Sequence, residues 1–293
     1  MKLRLHVGPH RTATTYIQYL AHQNRALLAR HGVLFLNEPA QSTAMPDALN
    51  RLRPDLAIAE FQRLLDARLR ELAGAHPDPS LLFSAETFFA APQEKRAQYE
   101  DAFGRFLAVL GERGHEVELI FVERDLEDML TSNALLQASI GNLGFVTPDT
   151  LPYLHFLDGY AWRKAFFFRS CPVLHLDFAH LARESDLFAN FMKLAYGLEL
   201  AGVEPLDPGI DARNTHSDTQ IAKGLVLAPV INWLEQFGSL SRFDLFNGSA
   251  PLAPPVSGAA WDAMVGSMPL LRDSVRDTAR RAIDQFAQAN APR

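Results

Sequence analysis

The sequence predicts an α/β fold, in which a central parallel sheet is flanked by helices and followed by a mostly helical C-terminal third. Short apolar runs of strand length alternate with longer segments whose apolar residues recur at helical spacing. Such alternation favours parallel strands, because each crossover between two of them needs a connection about as long as a helix. We find no internal repeat or low-complexity tract, so we expect one domain over residues 1–293.

The predicted elements follow from the spacing of apolar residues and from the glycines, prolines and polar clusters that interrupt it. Strands are expected at 3–7, 33–36, 80–84, 117–122 and 172–176. Helices are expected near 13–31, 55–73, 92–113, 125–138, 159–169, 185–196, 219–237 and 270–286. Loops or irregular segments are expected at 37–50, 140–157, 202–214 and 239–258. In this arrangement, ligands are expected at the carboxyl ends of the strands.

Composition narrows the class of protein. The net charge of −6 argues against a nucleic-acid partner and against a long polyanionic substrate, since both usually bind to a basic surface. The single cysteine, Cys171, excludes an internal disulfide framework and a cysteine-based metal site. Neither a signal peptide nor a membrane span is visible in the sequence. We therefore expect a cytoplasmic protein, and the sequence indicates no particular oligomeric state.

A segment that suits an anion follows the first predicted strand. It is Gly8-Pro9-His10-Arg11-Thr12-Ala13-Thr14-Thr15, a tight turn that leads into a helix. The first N–H groups of a helix lack internal partners, and the helix dipole favours negative charge there. The threonines add hydroxyl donors, and Arg11 adds a fixed positive fork. These features together predict a phosphate site, although an ordinary turn with threonine caps has the same appearance.

The spacing of this loop argues against a nucleoside triphosphate. The pattern that binds triphosphates is G-x-x-x-x-G-K-[ST], in which the lysine reaches the β- and γ-phosphates. Counted from Gly8, Ala13 and Thr14 occupy the positions of the second glycine and the lysine. The positive group is Arg11 instead, inside the loop. The loop therefore lacks the lysine that would contact a γ-phosphate.

This loop resembles that of the sulfotransferases that use 3′-phosphoadenosine 5′-phosphosulfate (PAPS). Their first loop is approximately G-P-x-K-[ST]-G-T-T, and it holds the 5′-phosphosulfate. The sequence departs from it at Arg11, where the family has Lys, and at Ala13, where it has Gly. The resemblance covers about residues 1–235 and implies a P-loop NTPase-like sulfotransferase fold, with PAPS as co-substrate and no metal. We expect residues 236–293 to be an extension of helices and loops packed on that domain.

A second pair of residues matches the family at the fourth predicted strand. Arg124 falls at the end of that strand and Ser132 lies eight residues further on, in the next helix. Sulfotransferases carry an Arg and a Ser at this separation, so the resemblance implies that both bind the 3′-phosphate. An Arg fork and a Ser hydroxyl suit phosphate oxygens. Alternatively, Arg124 pairs with an acidic neighbour and Ser132 faces solvent.

The candidate general base is Glu86, just past the carboxyl end of the third predicted strand. Sulfotransferases that act on sugars often place a catalytic Glu in this segment, and apolar neighbours such as Phe83 and Phe88 suit a general base. His10 is the rival base. Arg11 would stabilise the leaving group. Alternatively, Glu86 is only a carboxylate favoured at a helix N-terminus.

The function implied by the resemblance is transfer of a sulfuryl group from PAPS to a hydroxyl or amine of a small-molecule, carbohydrate or lipid acceptor. The acceptor pocket is expected around 140–160, where Phe145, Tyr153, His155 and Phe156 lie, although aromatic residues there suit core packing equally. Two alternatives stay open. One is a P-loop-like nucleotide kinase, which would need the missing lysine. The other is a non-catalytic member of the fold that binds a nucleotide or a partner.

Overall fold

The computed structural model of the chain describes residues 1–9, 13–37, 44–71, 79–183, 186–206, 220–228 and 258–291. The chain divides into two compact units. The first, here called the sheet unit, comprises Met1–Arg124 and Gly159–Asn214. The second, the helical unit, comprises Asp125–Asp158 and Thr215–Arg293.

The sheet unit is built on a parallel sheet of five strands. These are β1 (Lys2–Val7), β2 (Val33–Phe35), β3 (Ser80–Ser84), β4 (Glu116–Glu123) and β5 (Val173–Asp177). Their order across the sheet is β2-β3-β1-β4-β5, and every neighbouring pair is parallel. The central strand is β1, where Leu5 lies opposite Phe83 on one side and Leu119 on the other. The predicted α/β fold with a central parallel sheet is therefore confirmed.

Helices connect the strands and form the C-terminal region. They are α1 (Thr14–Gln23), α2 (Arg25–Arg30), α3 (Ala44–Asn50), α4 (Pro54–Glu71), α5 (Arg96–Glu112), α6 (Leu126–Ser139), α7 (Leu151–Ser170), α8 (Phe178–Leu181), α9 (Leu187–Tyr196), α10 (Ala259–Gly266) and α11 (Met268–Ala289). Residues 220–228 are also helical. Short 3₁₀ helices occupy Glu86–Ala90, Gln93–Lys95 and Leu143–Phe145. The predicted helical C-terminal region is confirmed over the residues described there.

The core of the sheet unit lies on both faces of the sheet. Leu3, Leu5 and Val7 of β1 lie on one face and are fully buried, and His6 on the other face is also fully buried, as expected for a strand covered on both sides. One cluster brings Ile17 of α1 together with apolar residues of β4 and of α9, such as Phe191. Helix α1 is therefore packed against the sheet through Ile17.

The helical unit has its own apolar core, where α6 packs against α11. Leu130 and Ala134 belong to the same buried cluster as Val275 and Ala279. The helical residues 220–228 also approach α6 closely, because a Cβ built on Gly224 would lie 2.2 Å from the carbonyl oxygen of Ala138. Among the described helices, we find none that combines the length and the apolar character needed to cross a membrane.

Three local predictions were wrong. The helix predicted over 13–31 is interrupted at Asn24, whose side chain donates to the carbonyl oxygens of Leu20 and Glu204. Helix α3 lies within the segment predicted as a loop at 37–50, and α7 begins inside the loop predicted at 140–157. The polar residues of 37–50 and the glycines and prolines of 140–157 predict loops. Pro46 and Pro152, however, lie in the first turns of α3 and α7, where proline is tolerated. The predictions for 207–219 and 229–257 lie outside the described residues.

Candidate functional site

The two ends of the predicted phosphate loop lie at the carboxyl edge of the central strand. Gly8 and Pro9 follow β1 directly and are buried, and α1 begins at Thr14. The middle of the loop, 10–12, lies outside the described residues, so the structure does not describe His10, Arg11 or Thr12. A loop that joins β1 to α1 at this edge occupies the position where open parallel sheets bind ligands.

Ala13 caps α1 in a left-handed backbone conformation, with φ 60° and ψ 18°. This region favours glycine, and an L-residue with a Cβ pays roughly 1–2 kcal/mol to occupy it. The sulfotransferase loop that the sequence resembles has glycine at this position. The backbone of this chain therefore adopts a glycine-type conformation although the residue is alanine.

A cavity of about 180 Å³ lies beside the first turns of α1. It is lined by Thr15, Gln18, Tyr19, His22, Phe35, Asn37 and Glu86. Pockets for drug-sized ligands usually start at roughly 300 Å³, so this cavity suits one ring or one functional group of a larger ligand. The described lining residues include one carboxylate and neither Lys nor Arg.

One wall of the cavity is organised around the backbone of Ser84, the last residue of β3. The amide of Asn37 is buried and pairs with that backbone in both directions. Its Nδ2 donates to the Ser84 carbonyl oxygen at 2.6 Å, and its Oδ1 accepts from the Ser84 N–H at 2.8 Å. Gln18 Nε2 also donates to the Ser84 carbonyl oxygen, at 2.8 Å. The end of β2, the end of β3 and helix α1 are thus joined at one residue.

Glu86 lies at this junction. It is half-buried, begins the 3₁₀ helix that follows β3 and lines the cavity. Its Oε2 accepts a hydrogen bond from Gln18 Nε2 at 3.2 Å. The cavity therefore has a carboxylate on one side and Thr15, from the first turn of α1, on another. Thr15 and Glu86 therefore line one cavity, and their roles in binding an anion and accepting a proton stay predictions.

His6 supports the same edge from inside the core. Its ring is fully buried, its Nδ1 is hydrogen-bonded to Ser84 Oγ at 2.8 Å, and its centroid lies 5.1 Å from that of Phe191. Its Nε2 has no hydrogen-bond partner in the described part of the chain. Burial lowers the pKa of His6 from 6.5 to about 3, so the ring is neutral in the folded protein near neutral pH.

Arg124 directly follows β4 and is half-buried. Its guanidinium lies 5.2 Å from the centre of the Phe178 ring, a cation–π distance. Ser132 is half-buried in α6 and belongs to the helical unit, whereas Arg124 belongs to the sheet unit. Their joint role at a 3′-phosphate stays a prediction.

The acidic neighbour that precedes Arg124 has other partners. Glu123 accepts hydrogen bonds from Tyr160, at 2.9 Å, and from Lys164, at 2.5 Å, and its Oε2 lies 2.7 Å from His175 Nε2. Burial acts to raise the pKa of Glu123, but the hydrogen bonds from Lys164 and Tyr160 and the charge of Lys164 outweigh it, so that the pKa is lowered. Glu123 is therefore a structural anion that ties α7 to β4 and β5.

The aromatic residues predicted to line an acceptor pocket lie mainly in the helical unit. Tyr153 is fully buried, its hydroxyl donates to the Phe145 carbonyl oxygen at 2.5 Å, and the two rings make an edge contact at 5.3 Å. His155 is exposed, and Phe156 packs against the core of that unit. Tyr153 thus fills a core, and an acceptor pocket at 140–160 stays a prediction.

Apart from Phe35 of β2, four further lining residues were missed from the sequence. Three of them share a pattern that was visible, because Gln18, Tyr19 and His22 follow Thr15 at the spacing of one helix face. The fourth, Asn37, follows the second strand and was assigned to a polar loop. The signal in the sequence is therefore the helix face that begins at the predicted anion site.

Within the described residues, no group of three or more His, Cys, Asp or Glu side chains is arranged to hold a metal ion. In comparisons with known proteins, no family model, no curated protein and no solved structure matches the chain. What the chain does is therefore inferred from its own residues and their geometry.

Proposed function

We propose that the protein transfers a sulfuryl group from PAPS to a hydroxyl or amine acceptor. The observation that supports this most is the shared cavity of Thr15 and Glu86 at the carboxyl edge of the sheet. A helix start favours a bound anion, and a carboxylate can accept a proton from an attacking group. A cavity with both fits a reaction in which a nucleophile attacks an anionic group.

The nucleotide would lie along the loop between β1 and α1. The N–H groups of the first turn of α1, the hydroxyls of Thr14 and Thr15, and Arg11 would hold the 5′-phosphosulfate. The absence of a lysine at Thr14 favours a phosphosulfate over a triphosphate. Arg124 would meet the 3′-phosphate, and the family resemblance assigns Ser132 to the same phosphate.

In the proposed reaction, the acceptor oxygen or nitrogen attacks the sulfur atom. The bond between sulfur and the oxygen that bridges to the 5′-phosphate breaks, which releases 3′-phosphoadenosine 5′-phosphate. Glu86 takes the proton of the acceptor. The charge that develops on the leaving phosphate is stabilised by the N–H groups of α1 and by Arg11, which stays protonated throughout. His10 is the alternative base.

The size and lining of the cavity limit how an acceptor would bind. A volume of about 180 Å³ admits one ring or chain end, with Tyr19 and Phe35 as its aromatic surfaces. The acceptor would enter by the end that carries the reacting group, and the rest of it would stay outside. A small molecule and the terminus of a carbohydrate or lipid both satisfy this requirement.

Calorimetry tests the nucleotide assignment. We expect 3′-phosphoadenosine 5′-phosphate to bind at least ten times more tightly than adenosine 5′-phosphate, without added Mg²⁺. Each hydrogen bond to a charged phosphate contributes roughly 1.5–3 kcal/mol, and about 1.4 kcal/mol is a factor of ten. Arg124→Gln should remove most of this preference. Arg105→Gln, an exposed arginine of α5, is the matched control.

Equal affinity of the wild-type protein for the two nucleotides would refute the proposed 3′-phosphate site. Tight binding of ATP that requires Mg²⁺ would favour the kinase alternative. Tight binding of 3′-phosphoadenosine 5′-phosphate without transfer to any acceptor would favour a non-catalytic protein.

A transfer assay tests the chemistry. PAPS labelled in the sulfuryl group would be offered with a panel of carbohydrates, lipids, phenols and amines. With an accepted substrate, Glu86→Gln should lower kcat roughly 10²–10⁴-fold, the usual contribution of a general base. Glu112→Gln, at the exposed end of α5, should leave it unchanged. Full turnover by Glu86→Gln would move the role of base to His10.

A further inference from the structure

The contact between Gln18 and Glu86 has a defined geometry. Gln18 Nε2 donates to the Ser84 carbonyl oxygen at 2.8 Å and to Glu86 Oε2 at 3.2 Å. Both partners are acceptors, so the amide nitrogen, which carries two N–H groups, must be the atom that faces them. The side chain is therefore anchored to the backbone of β3 through one hydrogen and holds the carboxylate through the other.

The anchor itself is rigid. Ser84 is buried at the end of β3, pairs with His6 of β1 in the sheet and exchanges two hydrogen bonds with the buried amide of Asn37. Glu86 lies two residues further on, at the start of a short 3₁₀ helix, and its side chain is half-buried. Gln18 thus connects this carboxylate to the buried end of β3.

We propose that Gln18 is a positioning residue that orients the Glu86 carboxylate for proton transfer. This rests on the proposed function, in which Glu86 is the general base. With Oε2 held by Gln18, the other carboxylate oxygen, Oε1, is left to accept the proton of the nucleophile. Gln18 and Thr15 lie one turn apart on the same helix, so α1 would orient the base and the phosphosulfate together.

Kinetics of two variants test the proposal, once an acceptor is known. Gln18→Met keeps the length of the side chain but removes both donors, and we expect kcat to fall about 10–100-fold, since small displacements of a catalytic group have effects of this size. The KM for PAPS should stay within about twofold of the wild-type value. Binding of 3′-phosphoadenosine 5′-phosphate should be unchanged, because Gln18 does not contact the nucleotide in this scheme.

Gln18→Glu provides a second readout that a purely structural role would not produce. It places a like charge beside Glu86, which disfavours the ionised base. We expect the acid limb of the pH–rate profile to move to higher pH. Gln98→Glu, which adds the same charge on an exposed position of α5, should leave the profile unchanged. The Gln18→Glu variant also tests the proposal if Gln18→Met fails to fold.

The outcomes separate the two proposals. If the wild-type protein transfers sulfuryl groups and both Gln18 variants keep its kcat and pH profile, Gln18 does not position the base. The same conclusion follows if a folded Gln18→Met variant loses nucleotide affinity and kcat to the same extent. If the wild-type protein transfers nothing to any acceptor, the proposed function itself is wrong.

Discussion

The neutral, buried state of His6 makes the stability of the sheet unit depend on pH. His6 lies in the central strand, is fully buried and is bonded through Nδ1 to Ser84. Burial lowers its pKa from 6.5 to about 3. In the unfolded chain the imidazole binds a proton as the pH falls below 6.5, whereas in the folded protein it stays neutral until about pH 3. Acid therefore favours the unfolded chain.

The size of the effect follows from this difference. The contribution of His6 to stability is fully present above pH 6.5 and is lost as the pH falls, by about 1.4 kcal/mol for each pH unit. At pH 5 the loss is about 2 kcal/mol, and it grows until the pKa of the folded state is reached. Such a loss is a substantial part of the roughly 5–15 kcal/mol by which domains are usually stable.

The substitution His6→Gln isolates the contribution of His6 to the pH dependence of stability, because glutamine cannot ionise and its amide can still hydrogen-bond to Ser84. Urea unfolding would be followed by fluorescence at pH 7.5, 6 and 5 for the wild-type protein and the variant. The variant should be less stable at pH 7.5 but should lose about 2 kcal/mol less than the wild type on going to pH 5. His31→Gln, an exposed position after α2, is the control. Equal acid sensitivity of the wild type and His6→Gln would refute the reasoning.

Two further predictions concern backbone geometry and close packing. Ala13→Gly should raise the free energy of unfolding, measured by urea titration, by about 1 kcal/mol, because glycine occupies the left-handed region without strain. A lower free energy of unfolding would contradict the left-handed conformation of Ala13. Gly224→Ala should lower it by about 1–3 kcal/mol, because the new Cβ would lie 2.2 Å from the Ala138 carbonyl oxygen. Gly104→Ala in α5, where a Cβ meets nothing within 4 Å, should instead stabilise by roughly 0.5–1 kcal/mol; equal effects of the two substitutions would contradict the packing at Gly224.

The sheet could be predicted closely from the sequence, because β2, β3 and the second half of β4 are buried at nearly every position. The run at 80–84 was predicted to the residue, and the first and fourth strands to within one residue at each end. Strands covered on both sides need apolar residues at nearly every position, which makes them stand out from polar connections. The helices were harder to bound, because Pro46 and Pro152 are tolerated in first turns and look like loop residues in a sequence.

The site could be predicted only where it depends on the ends of strands. Glu86 and the loop after β1 follow strands that the sequence defines, and parallel strands bring their carboxyl ends to one edge. Asn37 could not be found in this way. Its contact is with a residue 47 positions away, and it exists only because β2 lies beside β3 in the sheet. No local sequence pattern shows that β2 and β3 are neighbours in the sheet.

The two positions at which the sequence differs from the sulfotransferase loop, Ala13 and Arg11, have different physical consequences. At Ala13 the backbone already has the left-handed conformation that glycine would adopt, so alanine there costs stability without redirecting α1. The direction of α1 places Thr15 and Gln18 beside the cavity, and alanine at position 13 leaves this direction unchanged. Arg11 changes the chemistry instead, because a guanidinium stabilises charge but does not give up its proton as a lysine can. In the proposed function, the leaving phosphate is therefore stabilised by Arg11 and by the N–H groups of α1 without receiving a proton from Arg11, and the proton of the acceptor goes to a base such as Glu86. This makes the geometry that Gln18 imposes on that carboxylate the point on which catalysis would depend.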